Sequence, residues 1–147
     1  MKKFKFRLQR VLEYRHTLTK DKERELALKN RELRDAEDGV TFLIEAQDKA
    51  ELAEEGVMTM AELALRGEYL EALQQSLVQQ RLMVLQAVDA VDAAREAYRE
   101  KAIEEETLET LKEKQQEEHK ETSRKEERKG LNDMVVQRHR FKSETSL

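Results

Sequence analysis

The chain has 147 residues and a formal net charge of −4, with 41% charged residues, no proline, no cysteine and four glycines. A compact domain is normally interrupted by turn residues about every dozen positions, so this composition argues against one. The absence of cysteine excludes a disulfide framework and a thiolate metal site. What remains is a choice between long helices and disorder, which the spacing of the apolar residues must decide.

The first ten residues are rich in lysine, arginine and phenylalanine. No apolar run of about 7–15 residues follows them, so we expect no secretory signal peptide. No stretch approaches the roughly 18 apolar residues that span a bilayer. Two compatible interpretations of Phe4, Phe6 and Leu8 stay open. In the first, these residues close the open end of a helical hairpin by packing on Leu108 and Leu111. In the second, they insert into another protein.

One position in the chain has the features of a helix boundary. Around Gly56 the heptad pattern fails, and this glycine can adopt a left-handed cap. Thr59 and Glu62 then have the spacing of a capping box, which marks the start of a second helix. The predicted bounds are about 4–54 for the first helix, about 55–59 for the loop and about 60–142 for the second helix.

Apolar residues alternate at spacings of three and four along both predicted helices, which keeps one stripe facing a partner helix. Because the connection is short, the natural partner is the other helix, folded back antiparallel. We therefore predict an all-α fold, a two-helix antiparallel coiled-coil hairpin forming a single elongated domain over 1–147. Residue i should lie opposite roughly residue 115 minus i. The stripe consists of Leu33, Ala36, Val40, Leu43, Gln47 and Ala50 on the first helix, and of Leu70, Leu73, Leu77, Gln80, Val84, Ala87, Val91, Ala94 and Tyr98 on the second.

The two predicted helices differ in length, so the second should overhang the N-terminus by about thirty residues. Residues 112–130 contain no hydrophobic side chain, and such a helix depends on ion pairs or on a partner. The net charge is +7 over residues 1–31, −13 over 32–111 and +2 over 112–147. The end of the hairpin that bears both termini is therefore predicted to be basic and the loop half acidic. This polarity favours an acidic partner at the basic end, although a charged helix face is often only solvated.

A second candidate surface lies on the flank of the hairpin. Between Leu77 and Val91 the second helix is apolar over more than the width of a two-helix seam. Scattered exposed apolar residues are normal, so a docking surface and an ordinary solvated face both remain possible. Tyr69 is the aromatic residue that we expect to make a contact, since aromatic residues anchor interfaces. The predicted flank contacts are Phe42, Tyr69, Leu73, Leu82 and Leu85.

The sequence predicts no catalytic, cofactor-binding or metal-binding residue. The three histidines, His16, His119 and His139, are scattered, and the single Glu13-x-x-His16 step lacks the second copy that a di-iron bundle needs. No glycine-rich phosphate loop is present, and no nucleophile with a base can be identified. Acidic residues dilute the basic N-terminal helix, which argues against nucleic-acid binding. We expect a protein that binds other proteins, without a cofactor and without enzyme activity.

Two segments carry recognisable motifs. The chain opens with Phe4-x-Phe6-x-Leu8-x-x-Val11-Leu12-x-x-Arg15, and its second half contains Leu108-x-x-Leu111-x-x-Lys114 and, after a charged run, Glu127-x-Lys129-x-Leu131. With the length and the mid-chain break, these motifs resemble the flagellar export protein FliJ family over essentially the whole chain. The family usually has Asp-Glu after the leucine at position 131, whereas this chain has Asn132-Asp133. A contact that uses the first of those charges is therefore not carried over.

The resemblance implies a non-enzymatic stalk protein of the flagellar type III export apparatus, with a part in flagellum biogenesis, motility and chemotaxis. Such proteins resemble the stalk of rotary ATPases: the end with both termini enters the export ATPase hexamer and promotes its assembly and activity. Another surface contacts the membrane export gate, and the family also handles export chaperones. The implied location is cytoplasmic, peripheral at the inner face of the cell membrane at the flagellar base. The residues carried over to the ATPase contact, here called the tip residues, are Phe4, Phe6, Leu8, Val11, Leu12, Arg15, Glu127, Lys129 and Leu131.

Two alternatives to this function remain. One is the equivalent stalk of a non-flagellar type III secretion system. The other is a membrane-peripheral coiled-coil scaffold held by the basic residues between Lys2 and Arg10.

Overall fold

The structure is a computed structural model that describes residues 2–52, 56 and 58–145. Two long helices form the fold: α1 covers Gln9–Leu52 and α2 covers Met60–Thr145. In the described residues there is no β-strand. The predicted all-α helical hairpin is thus confirmed. The second helix runs three residues further than expected, and the predicted loop lies partly outside the described residues.

The first helix begins at Gln9, five residues later than expected, because residues 2–6 are not helical. The Gln9 N–H donates to the Phe6 carbonyl oxygen over 3.2 Å as the helix starts. In an extended chain residues i and i+2 lie on the same side, whereas in a helix they point in nearly opposite directions. Outside the helix, Phe4 contacts His119 of α2 while Phe6 is buried. A helix beginning at residue 4 would point these two rings in nearly opposite directions.

The second helix begins with the predicted capping box. The Glu62 N–H donates to the Thr59 hydroxyl oxygen over 3.3 Å, and the Thr59 N–H donates to the Glu62 carboxylate over 3.2 Å. Gly56 has a positive φ of 149°, which glycine adopts readily. This value is far from the roughly +57° of a left-handed helix cap, and the neighbours at 53–55 and 57 lie outside the described residues.

The predicted stripes form the seam between the helices. Every residue assigned to them is buried or half-buried, including the polar positions Gln47 and Gln80, while most of their neighbours are exposed. Ala36 and Val91 are the most buried members. The spacing of three and four therefore identified the contact face of each helix correctly.

The chain divides into two compact units, each of which contains parts of both helices. Unit 1 comprises the chain up to Thr17 and the chain from Ala102 onward, and unit 2 comprises Leu18–Lys101. The single elongated domain over 1–147 stays a prediction. No helix in the described part of the chain is long and apolar enough to cross a membrane.

In unit 2, three hydrogen bonds from a side chain of one helix to a backbone carbonyl of the other show which residues of α1 and α2 are paired. The Gln80 amide donates to the Ala36 carbonyl over 3.0 Å, and the Arg66 guanidinium donates to the Ala50 carbonyl over 3.2 Å. In both pairs the residue numbers add to 116, close to the 115 expected for an antiparallel pair. A third bond, from the Thr19 hydroxyl to the Lys101 carbonyl, is 3.2 Å long, and its residue numbers add to 120. The sum of paired residue numbers thus rises by four between these pairs, so the two helices shift past each other by about one helical turn. A single constant sum was predicted.

Gly39 of α1 lies where the Gln80 side chain of α2 reaches across to α1. A Cβ atom built on Gly39 would come within 2.4 Å of the Gln80 Nε2 atom and 2.9 Å of its Cδ atom. These distances are too short for a real Cβ atom, so a larger residue at position 39 would force the end of the Gln80 side chain to shift. Glycine leaves that side chain the room in which it reaches the Ala36 carbonyl. A glycine that costs helix stability thus gives a polar seam residue its partner.

Candidate interaction surfaces

In unit 1 the non-helical N-terminal segment contacts His119 of α2. The Phe4 ring lies 5.6 Å from the His119 ring, centroid to centroid, at an interplanar angle of 49°. The His119 Nε2 atom lies 3.0 Å from the Lys2 carbonyl oxygen. Because a carbonyl oxygen can only accept, this nitrogen carries the proton and donates it. Phe6 is buried, with 8% of its surface exposed.

The tip residues on α1 differ in how much of them a partner could reach. Leu12 is as buried as Phe6, Leu8 is half-buried, and Val11 is exposed. The Arg15 guanidinium forms an ion pair with the Glu104 carboxylate of α2. Beside it, the His16 Nδ1 atom lies 2.6 Å from the Glu105 carboxylate. Phe6 and Leu12 are therefore core residues of unit 1, which favours the interpretation that the N-terminal apolar residues close this end of the hairpin.

The tip residues on α2 lie on a part of the helix that has no covering partner in the structure. Every described residue from Arg124 to Thr145 is exposed, and Glu127, Lys129 and Leu131 all lie in this stretch. The overhang is shorter than the expected one from about residue 112, because His119 contacts the N-terminal segment and the fully exposed stretch begins at Arg124. The second helix remains helical through this stretch.

Sequence reasoning missed an apolar stripe in the same stretch, here called the C-terminal stripe. Its four side chains are each more than 60% exposed. They share one side of the helix, since they follow the 3.6-residue period. The sequence contains the pattern that predicts this stripe, since its other three residues follow Leu131 at spacings of three, four and ten. The C-terminal stripe consists of Leu131, Met134, Val135 and Phe141.

The predicted flank contacts of unit 2 fall into separate places. Phe42 and Tyr69 line the same surface groove of about 420 Å³, although they belong to different helices. Leu85 lines another groove of about 380 Å³, in which Val40 and Val84 also lie. Leu73 is a half-buried seam residue, and Leu82 is exposed. The structure thus brings Phe42 and Tyr69 together and places the other predicted contacts elsewhere.

Leu82 and Leu85 belong to a second apolar row on α2, together with Val78. These three residues, here called the outer face, occur at spacings of four and three, and each is more than half exposed. At 100° per residue they lie on the side of α2 away from the seam positions Gln80 and Val84. The seam and the outer face explain why the sequence between Leu77 and Val91 is apolar over more than one helix face.

The described residues include no group of three or more histidine, aspartate or glutamate side chains that could hold a metal ion. The grooves found in this part of the chain are open troughs along helix surfaces rather than enclosed cavities. What the structure offers to other molecules is therefore exposed helix surface: the bare end of α2 in unit 1, and the groove of Phe42 and Tyr69 and the outer face in unit 2.

The family model described as "Flagellar FliJ protein" matches the chain over residues 4–144. The match includes all nine tip residues and both candidate surfaces of unit 2. No curated protein and no solved structure matches the chain.

Proposed function

The chain belongs to the FliJ family, a non-catalytic component of flagellar protein export, and on that premise we propose that it is a stalk and coupling protein. In this role it binds the export ATPase hexamer, promotes hexamer assembly and turnover, and contacts the membrane export gate and the export chaperones. It acts in the cytoplasm, peripherally at the inner face of the cell membrane at the flagellar base. Loss of this coupling impairs flagellum assembly and therefore motility and chemotaxis.

The observation that carries the proposal is the exposed end of α2 within a family match that covers nearly the whole chain. The stretch from Arg124 to Thr145 is helical yet entirely exposed, and it contains large apolar side chains that water solvates poorly. A soluble helix rarely keeps such a stripe without a partner that covers it. An ATPase ring with a central opening is a partner that can receive such a helix end and cover its apolar side.

The burial of the tip residues assigns them different roles in this contact. Phe6 and Leu12 are buried and act on the ATPase only by holding the fold of unit 1. We assign the direct contact to Val11, Lys129 and Leu131, which are exposed. Glu127 joins them on the bare end of α2.

The ATPase contact is tested by adding the purified chain to its cognate export ATPase and measuring hexamer formation and ATP turnover. We expect both to rise with the wild-type chain. Leu131→Asp should abolish the increase, because it places a carboxylate in a contact that desolvates the leucine. Val136→Asp is the matched control: Val136 is an exposed apolar residue of the same helix, on the opposite side. A wild-type chain that changes neither hexamer formation nor turnover refutes the proposed function.

For the gate contact we propose the groove of Phe42 and Tyr69, since two exposed aromatic side chains on neighbouring helices provide an anchoring surface. The experiment is capture of the purified chain by the cytoplasmic part of the export gate protein. Phe42→Ala and Tyr69→Ala should each weaken capture at least about tenfold, which corresponds to one anchoring side chain. Leu82→Ala, which shortens an exposed apolar side chain elsewhere on unit 2, should leave capture unchanged. Equal effects of all three substitutions would remove the groove from the proposal.

The scaffold alternative receives less support from the structure than the stalk. A helix that docks on a membrane uses exposed apolar side chains, yet Phe6 is buried and Phe4 stacks on His119. Lys2, Lys3 and Lys5 are exposed and keep an electrostatic contact with lipid available. Binding to anionic liposomes that is lost on substitution of these three lysines would favour the scaffold.

A further inference from the structure

Two apolar surfaces are open to a further partner when no ATPase is bound: the outer face in unit 2, and the C-terminal stripe in unit 1, of which the proposed ATPase contact uses Leu131. The outer-face side chains are 55–62% exposed, and those of the stripe are 61–69% exposed. Both surfaces are rows on a helix, and neither is covered by another described part of the chain. Each has the form of one half of a helix-to-helix contact.

The charges around the two rows are opposite in sign. Residues 68–92, which contain the outer face, hold four acidic residues and one basic residue, a net charge of −3. Residues 129–142, which contain the stripe, hold four basic residues and one acidic residue, a net charge of +3. Arg138 and Lys142 share the side of the helix on which the stripe lies, so they would face whatever covers it.

This charge distribution disfavours pairing of either row with itself. Two outer faces brought together would oppose Glu71, Asp89 and Asp92 with their own copies, and two stripes would oppose the basic residues. Like charges at an interface cost free energy and suppress such pairings. An outer face against a stripe instead places acidic residues beside Arg138 and Lys142.

We propose that the C-terminal stripe of one copy of this chain docks on the outer face of a second copy. The apolar core of the contact is formed by Leu131, Met134 and Val135 against Val78, Leu82 and Leu85. The acidic residues that flank the outer face pair with the basic residues of the stripe. Because the two surfaces differ, the contact is heterologous: each copy offers one stripe and one outer face.

A contact of about two or three helical turns is small, and interfaces that bury less than about 1,200 Å² are typically weak. Self-association is therefore measured by sedimentation velocity on the full-length chain, at concentrations up to about 100 µM and at low salt. We expect reversible association that weakens at least about tenfold between low salt and 0.5 M salt, since the charge pairs lie at the rim of the contact.

Single substitutions on the two surfaces separate the possible contacts. Leu82→Asp breaks the outer face and Val135→Asp breaks the stripe, and each variant alone should be monomeric. An equimolar mixture of the two should associate again, because the intact stripe of the Leu82→Asp chain can dock on the intact outer face of the Val135→Asp chain. Val136→Asp, on the opposite side of the stripe helix, and Gln79→Asp, on the helix that carries the outer face, are controls that should behave as the wild type.

Several results would overturn the proposal. A Leu82→Asp chain that still associates indicates that stripes pair with each other, and an associating Val135→Asp chain indicates the same for outer faces. A mixture that stays monomeric excludes the heterologous contact. A wild-type chain that is monomeric at all concentrations and at low salt excludes self-association altogether. Circular dichroism at 222 nm keeps these results apart from misfolding, because all four substituted positions are exposed and the helix content should be unchanged. No ATPase is present, so failure here is distinct from failure of the stalk proposal.

Discussion

The contact between Gly39 and Gln80 predicts a strong energetic coupling between two positions on different helices. Replacing a helical glycine with alanine normally stabilises a helix by about 1 kcal/mol. At Gly39 the new methyl group would overlap the Gln80 Nε2 atom, so the end of the Gln80 side chain must move. We expect this movement to break its bond to the Ala36 carbonyl. Losing that hydrogen bond costs about 1 kcal/mol, and displacing the half-buried side chain adds to the cost. Gly39→Ala should therefore leave the free energy of unfolding unchanged or lower it slightly.

The same substitution should behave differently once Gln80 is removed. The three heavy atoms nearest to the built Cβ atom all belong to the Gln80 side chain beyond its own Cβ atom. A Gln80→Ala chain lacks these atoms, so Gly39→Ala should there stabilise by the full helix-propensity gain of about 1 kcal/mol. The double-mutant cycle is then expected to give a coupling energy of about 1–2 kcal/mol. It is measured by urea unfolding of the four chains, followed by circular dichroism at 222 nm.

Gly67 provides the matched control for this cycle. It is also an interior glycine of a long helix, but no atom lies within 4 Å of its built Cβ atom in the described structure. Gly67→Ala should stabilise by about 1 kcal/mol whether or not Gln80 is present. If Gly39→Ala stabilises both backgrounds equally, to within the roughly 0.3–0.5 kcal/mol expected of independent sites, Gln80 does not cross α1 at Gly39 and the reasoning fails.

Three further outcomes follow from the structure. Thr59→Ala removes one bond of the capping box and should lower the free energy of unfolding by about 1 kcal/mol in a urea titration, while a serine at this position should retain most of it. Phe6→Ala empties a buried site and should cost about 3 kcal/mol by the same measurement. Phe4→Ala, at a half-buried site, should cost clearly less, and equal costs would show that Phe6 is not a core residue. His119→Ala removes the bond to the Lys2 carbonyl and the contact with Phe4, so amide hydrogen exchange in residues 2–6 should become faster while α2 stays helical. Unchanged exchange there would show that His119 does not hold the segment.

The seam could be predicted from the sequence because its signal is periodic and local. Leu33, Ala36 and Val40 repeat at spacings of three and four, which a helix aligns on one face, and one short break gives each stripe a single obvious partner. The capping box of Thr59 and Glu62 was predictable for the same reason, since both bonds join residues three apart.

Features that depend on the partner helix were not predictable from the sequence. Gln80 is recognisable as a polar position in an apolar seam, but its acceptor is a backbone carbonyl 44 residues away, and the role of Gly39 follows from that pairing. Residues 4–6 were predicted as helix because nothing in the sequence breaks one there. Tertiary contacts of Phe4 with His119 and burial of Phe6 override that local preference.

Among the predicted tip residues, the sequence motif does not distinguish side chains that hold the fold from side chains that meet a partner. Phe6 and Leu131 both occur in family-like motifs, yet the first is 8% exposed and the second 62%. Substituting a buried residue weakens binding indirectly, by lowering the population of folded protein, whereas substituting an exposed residue weakens it without changing stability. Loss of ATPase activation by a Phe6 variant would therefore not identify a contact. The same loss in a Leu131 variant of unchanged stability would identify a contact. Substitutions at the bare end of α2 are therefore the ones that decide the stalk proposal.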